Sequence, residues 1–533
     1  MTATTSPQRL TIGGLKSLPD HVLKPAHDLN KVSPGILHIG LGGFALAHLC
    51  HYINGVLVND PSWGIIAASI RSDSRGFISG LRKQDNLYSL VVRQGDERTA
   101  SIMAPIVQTL LSTEGAGKIV DAIANPQIKL VTLTVSNNAY FIDNPHSTLK
   151  THSADIVHDL NLETETPKTI YWYLTNGLKA RKQTGKPLTV MSLDNVQDNS
   201  RSLKMGLLQF VNEAGLHDLA TWIEQNVDFP VSTVDRITPE TTDEVRKESL
   251  KLLGMESAVV VGTEKYHSLV VERSRFEMPD WAAQGVQTVD DCSPYWQMKF
   301  FCLNAAHCVA SMVGLRAGNK FVHDGLLPKP IAGEGESSAP FILQLLKRVH
   351  REFAVFVPGG EARVLPYAET IYARFANSAL GDENERVAAR GTSKVNERLL
   401  AAVELALAAD SGRLISVPVF TSACWLLNLG GYGEGAVDGK KISLGDSHAA
   451  SLTPVHDAVV AWLDKVTEIP ATPETAPTKV VHDALLKIGE TVKESRFMRM
   501  AANEKLVREL SWCLINIHHN GVEAAAQVLL ARA

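Results

Sequence analysis

An apolar strand that runs into a glycine-rich turn is the feature of this sequence that most restricts its fold. Residues 36–39 read Ile-Leu-His-Ile, and residues 40–45 read Gly-Leu-Gly-Gly-Phe-Ala. This G-x-G-x-x-A pattern predicts a buried strand, a tight turn and a helix that continues to about Ile53. Gly40 permits the turn, Gly42 lets a pyrophosphate approach the backbone, and the helix N-terminus supplies amide donors. We expect a dinucleotide to contact four residues of this turn: Gly40, Gly42, Gly43 and Phe44.

Strand-like and helix-like segments alternate through the first half of the chain. Such alternation is typical of a largely parallel, doubly wound sheet. The predicted segments are strands at 64–70, 129–135, 188–193 and 258–262, and helices at 117–124 and 202–215. From about residue 294 the pattern changes to long helices, so we predict two domains. An α/β, Rossmann-type dinucleotide-binding domain spans 1–290, and a mostly α-helical domain that carries substrate and catalytic residues spans 291–533.

Polar residues that follow predicted strands are candidate ligand contacts, because ligands bind beyond the carboxyl ends of strands in such sheets. Thr134 and Val135 follow one strand, and Asn195 follows the next. Arg71 and Asp73 follow the second strand. An acid at this point binds the adenosine ribose and favours NAD, whereas an arginine accommodates the 2′-phosphate of NADP. These two residues alone leave the choice of cofactor open.

The bulk properties exclude several classes of partner. The chain has 533 residues, 20% of them charged, with a net charge of −5, so nothing favours nucleic acid or an anionic membrane. Its six cysteines are scattered, with no spacing typical of a metal site. The N-terminus does not resemble a secretory signal, and no uninterrupted run of 18 apolar residues occurs. We expect a cytoplasmic enzyme without metal, and the sequence contains no signal for its oligomeric state.

Lys299, Asn304 and His307 lie in an otherwise apolar segment that is predicted to be helical. Polar groups in such surroundings are costly unless they are paired or used. Burial disfavours the ammonium form of a lysine, so Lys299 could act as a base near neutral pH. On an ideal α-helix Asn304 and His307 lie roughly 60° apart, but Lys299 and His307 are about 12 Å apart along the axis. The three side chains could therefore meet one oxygen atom only if Lys299 curls inward or the helix is irregular near it.

The pattern Lys-x4-Asn-x2-His resembles the catalytic signature of the mannitol dehydrogenase family, the polyol-specific long-chain dehydrogenases and reductases. Residues 234–239, Val-Asp-Arg-Ile-Thr-Pro, resemble a second fingerprint of that family, and the similarity runs from about residue 20 to the C-terminus. The resemblance implies NAD as cofactor, with NADP not excluded. It implies that Lys299 is the general base and that Asn304 and His307 hold the reacting oxygen. The further binding residues it implies are Asn195, Asp235, Arg386 and Lys394 for the substrate, and Val234 near the cofactor.

The implied reaction is the metal-independent interconversion of a linear polyol and its ketose, with D-mannitol and D-fructose as the leading pair. The alternatives are a hexuronate (fructuronate or tagaturonate) reductase, a D-arabinitol 4-dehydrogenase and a catalytically silent dinucleotide-binding sensor. The sensor is suggested by four departures from the family pattern. These departures are Ala45, Leu46, Asn137 and Trp296, the last of which replaces an acid three residues before the lysine.

Overall fold

The structure is a computed structural model that describes residues 8–135, 137–142, 148–330, 337–338, 340–409, 414–431 and 445–532. The chain divides into two compact units, Met1–Tyr295 and Trp296–Ala533. This division lies five residues beyond the domain boundary predicted from the sequence.

A six-stranded sheet is the centre of the first unit. Its strand order is β5-β2-β1-β6-β7-β8, and every neighbouring pair is parallel. The strands are β1 Pro34–Ile39, β2 Gly64–Ser69, β5 Ile106–Leu111, β6 Leu130–Leu133, β7 Leu188–Ser192 and β8 Val227–Asp228. All residues of the central strands except Pro34 are buried, as expected for a parallel sheet covered on both faces. The predicted doubly wound α/β architecture is confirmed.

In the described residues of the first unit, two smaller sheets and nine complete α-helices accompany the main sheet. The sheets are β10-β3-β4 and β12-β11-β9, built from β3 Tyr88–Gln94, β4 Glu97–Met103, β9 Ser232–Asp235, β10 Val260–Thr263, β11 Ser268–Glu272 and β12 Gln287–Val289. The helices are α1 Gly43–Ala47, α2 Leu49–Val56, α3 Arg75–Arg82, α4 Gly117–Ala124, α5 Ala154–Asp159, α6 Ile170–Lys182, α7 Asn199–Glu213, α8 His217–Asn226 and α9 Asp243–Leu253. The strand predicted at 258–262 therefore exists, but it pairs with β3 rather than with the main sheet.

The second unit is built almost entirely from helices around one apolar core. Its helices are α10 Ser293–Met298 (which begins in the first unit), α11 Ala306–Arg316, α12 Phe341–Phe353, α13 Gly360–Phe375, α14 Asn384–Ala388, α15 Gly391–Lys394, α16 Ala401–Ala409, α17 Ser416–Asn428, α18 Ala449–Leu463, α19 Lys479–Val492, α20 Ser495–Ala501, α21 Glu504–Asn520 and α22 Val522–Ala531. The short strands β13 Lys329–Pro330 and β14 Ser337–Ser338 pair with each other.

Two segments of the second unit are π-helical. The first, Lys299–Ala305, joins α10 to α11, and the second, Val395–Leu400, joins α15 to α16. A π-turn closes its hydrogen bonds between residues i and i+5. Such turns are rare in proteins, but those that occur are often found at functional sites.

The continuous helical stretch Ser293–Arg316 is long and apolar enough to cross a membrane by length and composition alone. In this protein its apolar residues belong to the interior, because 83% of its most apolar window is buried. A buried core helix of a globular domain has the same composition.

Candidate functional site

The glycine turn after β1 depends on Gly40. The φ of Gly40 is 100°, a region that side chains disfavour. A Cβ atom at this position would lie 2.2 Å from the carbonyl oxygen of Thr134, well inside van der Waals contact. Only glycine fits here without moving the end of β6 away from the end of β1.

The outer side of the turn is open. A Cβ atom on Gly43 would meet no heavy atom within 4 Å, and one on Gly42 would meet only the carbonyl oxygen of Gly40, at 4.0 Å. Beside the turn lies a cavity of about 350 Å³ whose lining includes Gly43, Phe44 and Phe77. This open backbone at the start of α1 leaves the space that a pyrophosphate group would need. A larger cavity of about 620 Å³, beside α7, contains none of the predicted site residues.

The helix after the turn is interrupted at His48, although the sequence predicted one helix to about Ile53. The backbone of His48 departs from regular helix (φ −110°, ψ −79°), and α1 ends there. The His48 Nε2 atom lies 2.9 Å from the carbonyl oxygen of Ser268, and Phe44 stacks on the His48 ring at 4.9 Å. The Arg236 guanidinium donates to the carbonyl oxygen of Ala47, the last residue of α1. Tertiary contacts with buried polar groups thus end α1 after five residues.

A buried hydrogen-bond chain braces the turn from below. The Thr134 hydroxyl donates to the carbonyl oxygen of Gly40 at 2.8 Å, and the His38 Nε2 atom lies 3.1 Å from the same hydroxyl. Since that hydroxyl proton is used, His38 Nε2–H must be the donor to Thr134. His38 Nδ1 then accepts from the Thr132 hydroxyl at 2.9 Å. Burial lowers the pKa of His38 to about 4, so the ring is neutral at physiological pH.

Because His38 is neutral in the folded protein, we expect the free energy of unfolding to depend on pH. The pKa of His38 falls from its ordinary value of 6.5 to about 4 on folding, so between these values the unfolded chain binds a proton that the folded protein does not. The contribution of His38 to the free energy of unfolding is therefore complete above pH 6.5 and is lost as the pH falls toward 4. At pH 5 the free energy of unfolding is lower by about 2 kcal/mol. Urea unfolding at pH 8 and pH 5 measures it, and His38→Asn should show a smaller difference in unfolding free energy between the two pH values. An unchanged difference would contradict the assignment.

Arg71 and Asp73, predicted to contact the adenosine end of the cofactor, form a bidentate ion pair just after β2. The Arg71 Nε and Nη2 atoms lie 3.2 and 2.5 Å from the two carboxylate oxygens of Asp73. The arginine and aspartate side chains are 77% and 62% exposed. The Arg71 guanidinium lowers the pKa of Asp73, so this carboxylate is charged at neutral pH. Both residues are accessible at the carboxyl edge of the main sheet.

The loops after β6 and β7 are tied together by Asp194. Its carboxylate accepts hydrogen bonds from the Val135 amide at 3.2 Å and from the Tyr140 hydroxyl at 2.8 Å. The neighbouring Asn195 side chain is exposed. The Asn199 amide holds this loop from behind, because it donates to the carbonyl oxygens of Asp194 and Ser232 at 3.0 and 3.1 Å. Asn199 was not predicted, since one asparagine at the start of a helix carries no sequence signal of that role.

Val234 and Asp235 end strand β9. The Val234 side chain is buried in the core around β1 and β2. Asp235 is only 5% exposed. Its neighbour Arg236 is buried as well and donates to the carbonyl oxygen of Glu264, at 3.2 Å from Nε and 3.1 Å from Nη2. These hydrogen bonds, together with the one to the Ala47 carbonyl, give Arg236 a structural role.

In the second unit, the helix that carries the Lys-x4-Asn-x2-His spacing is irregular, which was one of the two arrangements expected from the sequence. Lys299 is the first residue of the π-helical segment, and Asn304 is five residues later, within it. On an α-helix residues five apart point roughly 140° away from each other. The i to i+5 bonding of a π-turn puts more residues into each turn and therefore brings such residues closer to one side of the helix. Both side chains are buried, with 8% and 7% exposure.

Asn304 and His307 each have a buried nitrogen atom without a hydrogen-bond partner among the described residues: Nδ2 of Asn304 and Nε2 of His307. The His307 ring stacks on Phe375 with 4.1 Å between centroids, which fixes its plane. Its Nε2 atom is 3.7 Å from Asp382 Oδ2, beyond hydrogen-bond range. Burial, reinforced by Arg374, keeps the pKa of His307 well below its usual value, so the ring is neutral. Unpartnered buried polar nitrogens are costly in a folded protein unless a ligand binds them.

Basic residues surround this pair of nitrogens. Arg386 is bonded to the buried Asp382 carboxylate, and Lys394 Nζ donates to the carbonyl oxygen of Val387 at 2.5 Å. Burial lowers the pKa of Lys394 to about 8, helped by the positive charge of Arg398. Burial raises the pKa of Asp382, even though Arg386 opposes this shift. The structure therefore brings the predicted residues Arg386 and Lys394 into the electrostatic surroundings of His307.

Comparison with known proteins decides the family. Sequence profiles of the mannitol dehydrogenase Rossmann domain and of the mannitol dehydrogenase C-terminal domain match residues 34–283 and 291–483. A mannitol 2-dehydrogenase of Pyrenophora tritici-repentis is 30% identical over 402 residues, which cover 74% of this chain and 69% of that protein. The chain belongs to the mannitol dehydrogenase family. It is therefore an oxidoreductase of that family.

Two further relatives of this mannitol dehydrogenase family member show the range of similarity. The D-mannonate oxidoreductase of Escherichia coli is also 30% identical, over 391 residues, covering 72% of this chain and 78% of that one. Among solved structures, the ternary complex of Pseudomonas fluorescens mannitol 2-dehydrogenase with NAD and D-mannitol superposes with a TM-score of 0.80 at 27% identity. That match covers 99% of this chain and 100% of the other.

Three of the four residues that depart from the mannitol dehydrogenase family pattern have side chains in the described part of the chain. Ala45 and Leu46 are buried in the core of the first unit, where they pack α1 against the sheet. Trp296 stacks on Phe300 at 4.3 Å with an interplanar angle of 19°. The side chain of Asn137 lies outside the described part of the chain. In that described part, no group of three or more His, Cys, Asp or Glu side chains is arranged to hold a metal ion.

Proposed function

We propose that this protein catalyses the reversible, NAD-dependent oxidation of a secondary alcohol of a linear polyol to a ketose, with D-mannitol and D-fructose as the leading pair. The observation that carries the proposal is the pair of buried nitrogens on Asn304 and His307, for which the described residues provide no hydrogen-bond partner. Two such groups, three residues apart on one helix, can hold one alcohol oxygen. The developing negative charge on that oxygen is then stabilised by donors that are already in place.

Lys299 is the proposed general base. In its amine form it removes the hydroxyl proton, while Asn304 and neutral His307 steady the oxygen. In the reduction direction the ammonium form of Lys299 returns the proton to the ketose oxygen. The π-turn supports this assignment, because it places the lysine and the asparagine amide on one side of the helix.

NAD is the proposed cofactor, and it supplies the hydride acceptor. The residues of the first unit fit it: Gly40 holds a turn that other residues would strain, and Gly43 leaves open space where a pyrophosphate would bind. We propose that the charged Asp73 carboxylate accepts ribose hydroxyls while it is paired with Arg71. The solved complex of the Pseudomonas fluorescens relative contains NAD and D-mannitol, which supports both choices.

A second candidate is the reduction of a hexuronate-derived keto acid. It is favoured by the positive charge around His307, whose pKa is lowered first by burial and further by Arg374, Arg398, Arg386 and Lys394. A neutral polyol does not need so many cations, whereas a substrate carboxylate would pair with one of them. The similarity to a D-mannonate oxidoreductase is consistent with this alternative.

The substrate assay that separates these candidates follows reduced-cofactor absorbance with NAD and NADP in both directions. The substrates are D-mannitol, D-arabinitol, D-sorbitol, D-fructose, fructuronate and tagaturonate. Turnover with polyols but not with uronates supports the first proposal, and the reverse supports the second. Cofactor binding without turnover of any substrate would leave only the sensor.

Lys394 offers a test of how the substrate is held. We expect Lys394→Met to raise the KM for a polyol about tenfold, because a buried substrate hydroxyl loses its donor. A carboxylate substrate should lose clearly more, since hydrogen bonds between charged groups are stronger. Steady-state kinetics with both substrate classes measures this. Lys479→Met, on a side chain that is 87% exposed, is the matched control and should change neither KM. Unchanged KM values in Lys394→Met would contradict the assignment.

A further inference from the structure

The two π-helical segments of the second unit are joined by the side chain of Arg398. Arg398 lies in the second segment, Val395–Leu400, and its Nη1 atom donates to the carbonyl oxygen of Asn304 in the first segment at 3.2 Å. The Cys308 thiol also donates to that carbonyl, at 3.3 Å. The carbonyl belongs to the same residue whose buried Nδ2 atom has no hydrogen-bond partner in the described part of the chain. The charged Arg398 guanidinium therefore holds the backbone carbonyl of Asn304, whose side chain is proposed to bind the reacting oxygen.

A second contact holds the Arg398 guanidinium in place. Its central carbon lies 5.9 Å from the centroid of the Phe300 ring, within cation–π range. Phe300 is itself stacked on Trp296, the residue that replaces an acid of the family pattern. Contacts thus connect Trp296 to Phe300, Phe300 to Arg398, and Arg398 to Asn304. This series of contacts begins and ends on the same helix.

A π-turn needs such support. It inserts an extra residue into the helix and is less stable than the α-helical alternative, so it persists only where the surroundings hold it. If Lys299–Ala305 relaxed to an α-helix, Lys299 and Asn304 would turn roughly 140° apart. Interactions that keep the Asn304 backbone in its π-helical place therefore keep the amide beside the lysine.

We infer that Arg398 is a positioning residue for catalysis, which acts by holding the Asn304 backbone so that the Asn304 amide can bind the alcohol oxygen. The inference rests on the proposed function. It assigns Arg398 no contact with substrate or cofactor. Its effect should therefore be on kcat rather than on the affinity for either.

The test is a double-mutant cycle of kcat in the full-length enzyme with its best substrate and cofactor. Arg398→Ala should lower kcat about tenfold to a hundredfold, because a small misplacement of a reacting group has such effects. The KM for the substrate and the dissociation constant of NADH should change less than threefold. In an Asn304→Ala background the same change should lower kcat less than twofold, since the amide it positions is gone. Arg398→Lys, which can still donate to the carbonyl, should recover most of the activity.

Several outcomes would overturn the inference. A wild-type kcat in Arg398→Ala, or factors that multiply in the double variant, would show that Arg398 does not act through Asn304. If Arg398→Ala does not fold, as judged by its melting temperature against the exposed control Arg351→Ala, the same cycle with Arg398→Met, which keeps most of the side-chain volume but cannot donate to the carbonyl, decides. A wild-type enzyme without turnover on any polyol or uronate would refute the proposed function, and this inference falls with it. A wild-type enzyme with turnover but multiplicative factors would refute only the role of Arg398.

Discussion

Lys299→Ala should lower kcat by about a hundredfold to ten-thousandfold, the range expected when a general base is removed. The lysine is buried at the start of the π-turn, and the proposed mechanism uses it to remove the proton from the alcohol. Its loss should leave the cofactor dissociation constant unchanged, because the glycine turn lies in the first unit of the chain. Steady-state kinetics and quenching of protein fluorescence by NADH measure the two quantities.

Two controls make the Lys299 result specific. Lys347→Ala removes an exposed lysine from α12 in the same unit and should keep kcat within twofold of wild type. Lys299→Met keeps most of the side-chain volume and should be as inactive as Lys299→Ala, which separates loss of the amine from loss of packing. Added primary amines should restore part of the activity of Lys299→Ala. Near-normal turnover in either variant would rule out Lys299 as the base.

Gly40→Ala should abolish cofactor binding and destabilise the first unit. The new Cβ atom would lie 2.2 Å from the Thr134 carbonyl oxygen, at a φ of 100°. The backbone strain alone costs about 1–3 kcal/mol, and relief of the clash must separate the ends of β1 and β6. We expect the affinity for NADH to fall at least a hundredfold and the melting temperature to fall as well. Isothermal titration calorimetry and thermal unfolding measure these changes.

Two other glycines serve as matched controls for Gly40. Gly43→Ala meets no atom within 4 Å, so we expect a normal melting temperature but weaker NADH binding, because the methyl group would occupy the space left for the pyrophosphate. Gly76→Ala, in α3, also meets no atom and should change neither quantity. Normal NADH binding by Gly40→Ala would show that this turn is not the cofactor site.

The local parts of the fold could be predicted because their causes are local. The glycine turn requires a residue at positive φ, and the buried strands β1, β2, β6 and β7 require apolar runs, so both are visible in the sequence. The helix Gly117–Ala124 was predicted with the bounds it has. Strand 260–263 was predicted as a strand but not in its sheet, because pairing with β3 depends on residues about 170 positions away.

Other features depend on partners that a local pattern does not contain. The end of α1 at His48 is caused by the Ser268 carbonyl and by Arg236, both far along the chain. The neutral state of His38 follows from its burial, and the hydroxyl groups of Thr132 and Thr134 hold its ring nitrogens. The roles of Asn199 and Arg398 were not predicted for the same reason, since each acts through backbone carbonyl groups.

The sequence by itself determined the strand, turn and helix of a dinucleotide site, the change from α/β to helical organisation, and the spacing of a lysine, an asparagine and a histidine. It also indicated that these side chains could meet one oxygen atom only if Lys299 curls inward or the helix is irregular near it. Only the tertiary structure decided how the three side chains are arranged, with a π-helical segment in which the carbonyl of Asn304 is held by an arginine 94 residues away. The physical reason is that a π-turn is disfavoured in isolation, so its existence depends on contacts that form only when distant helices pack together.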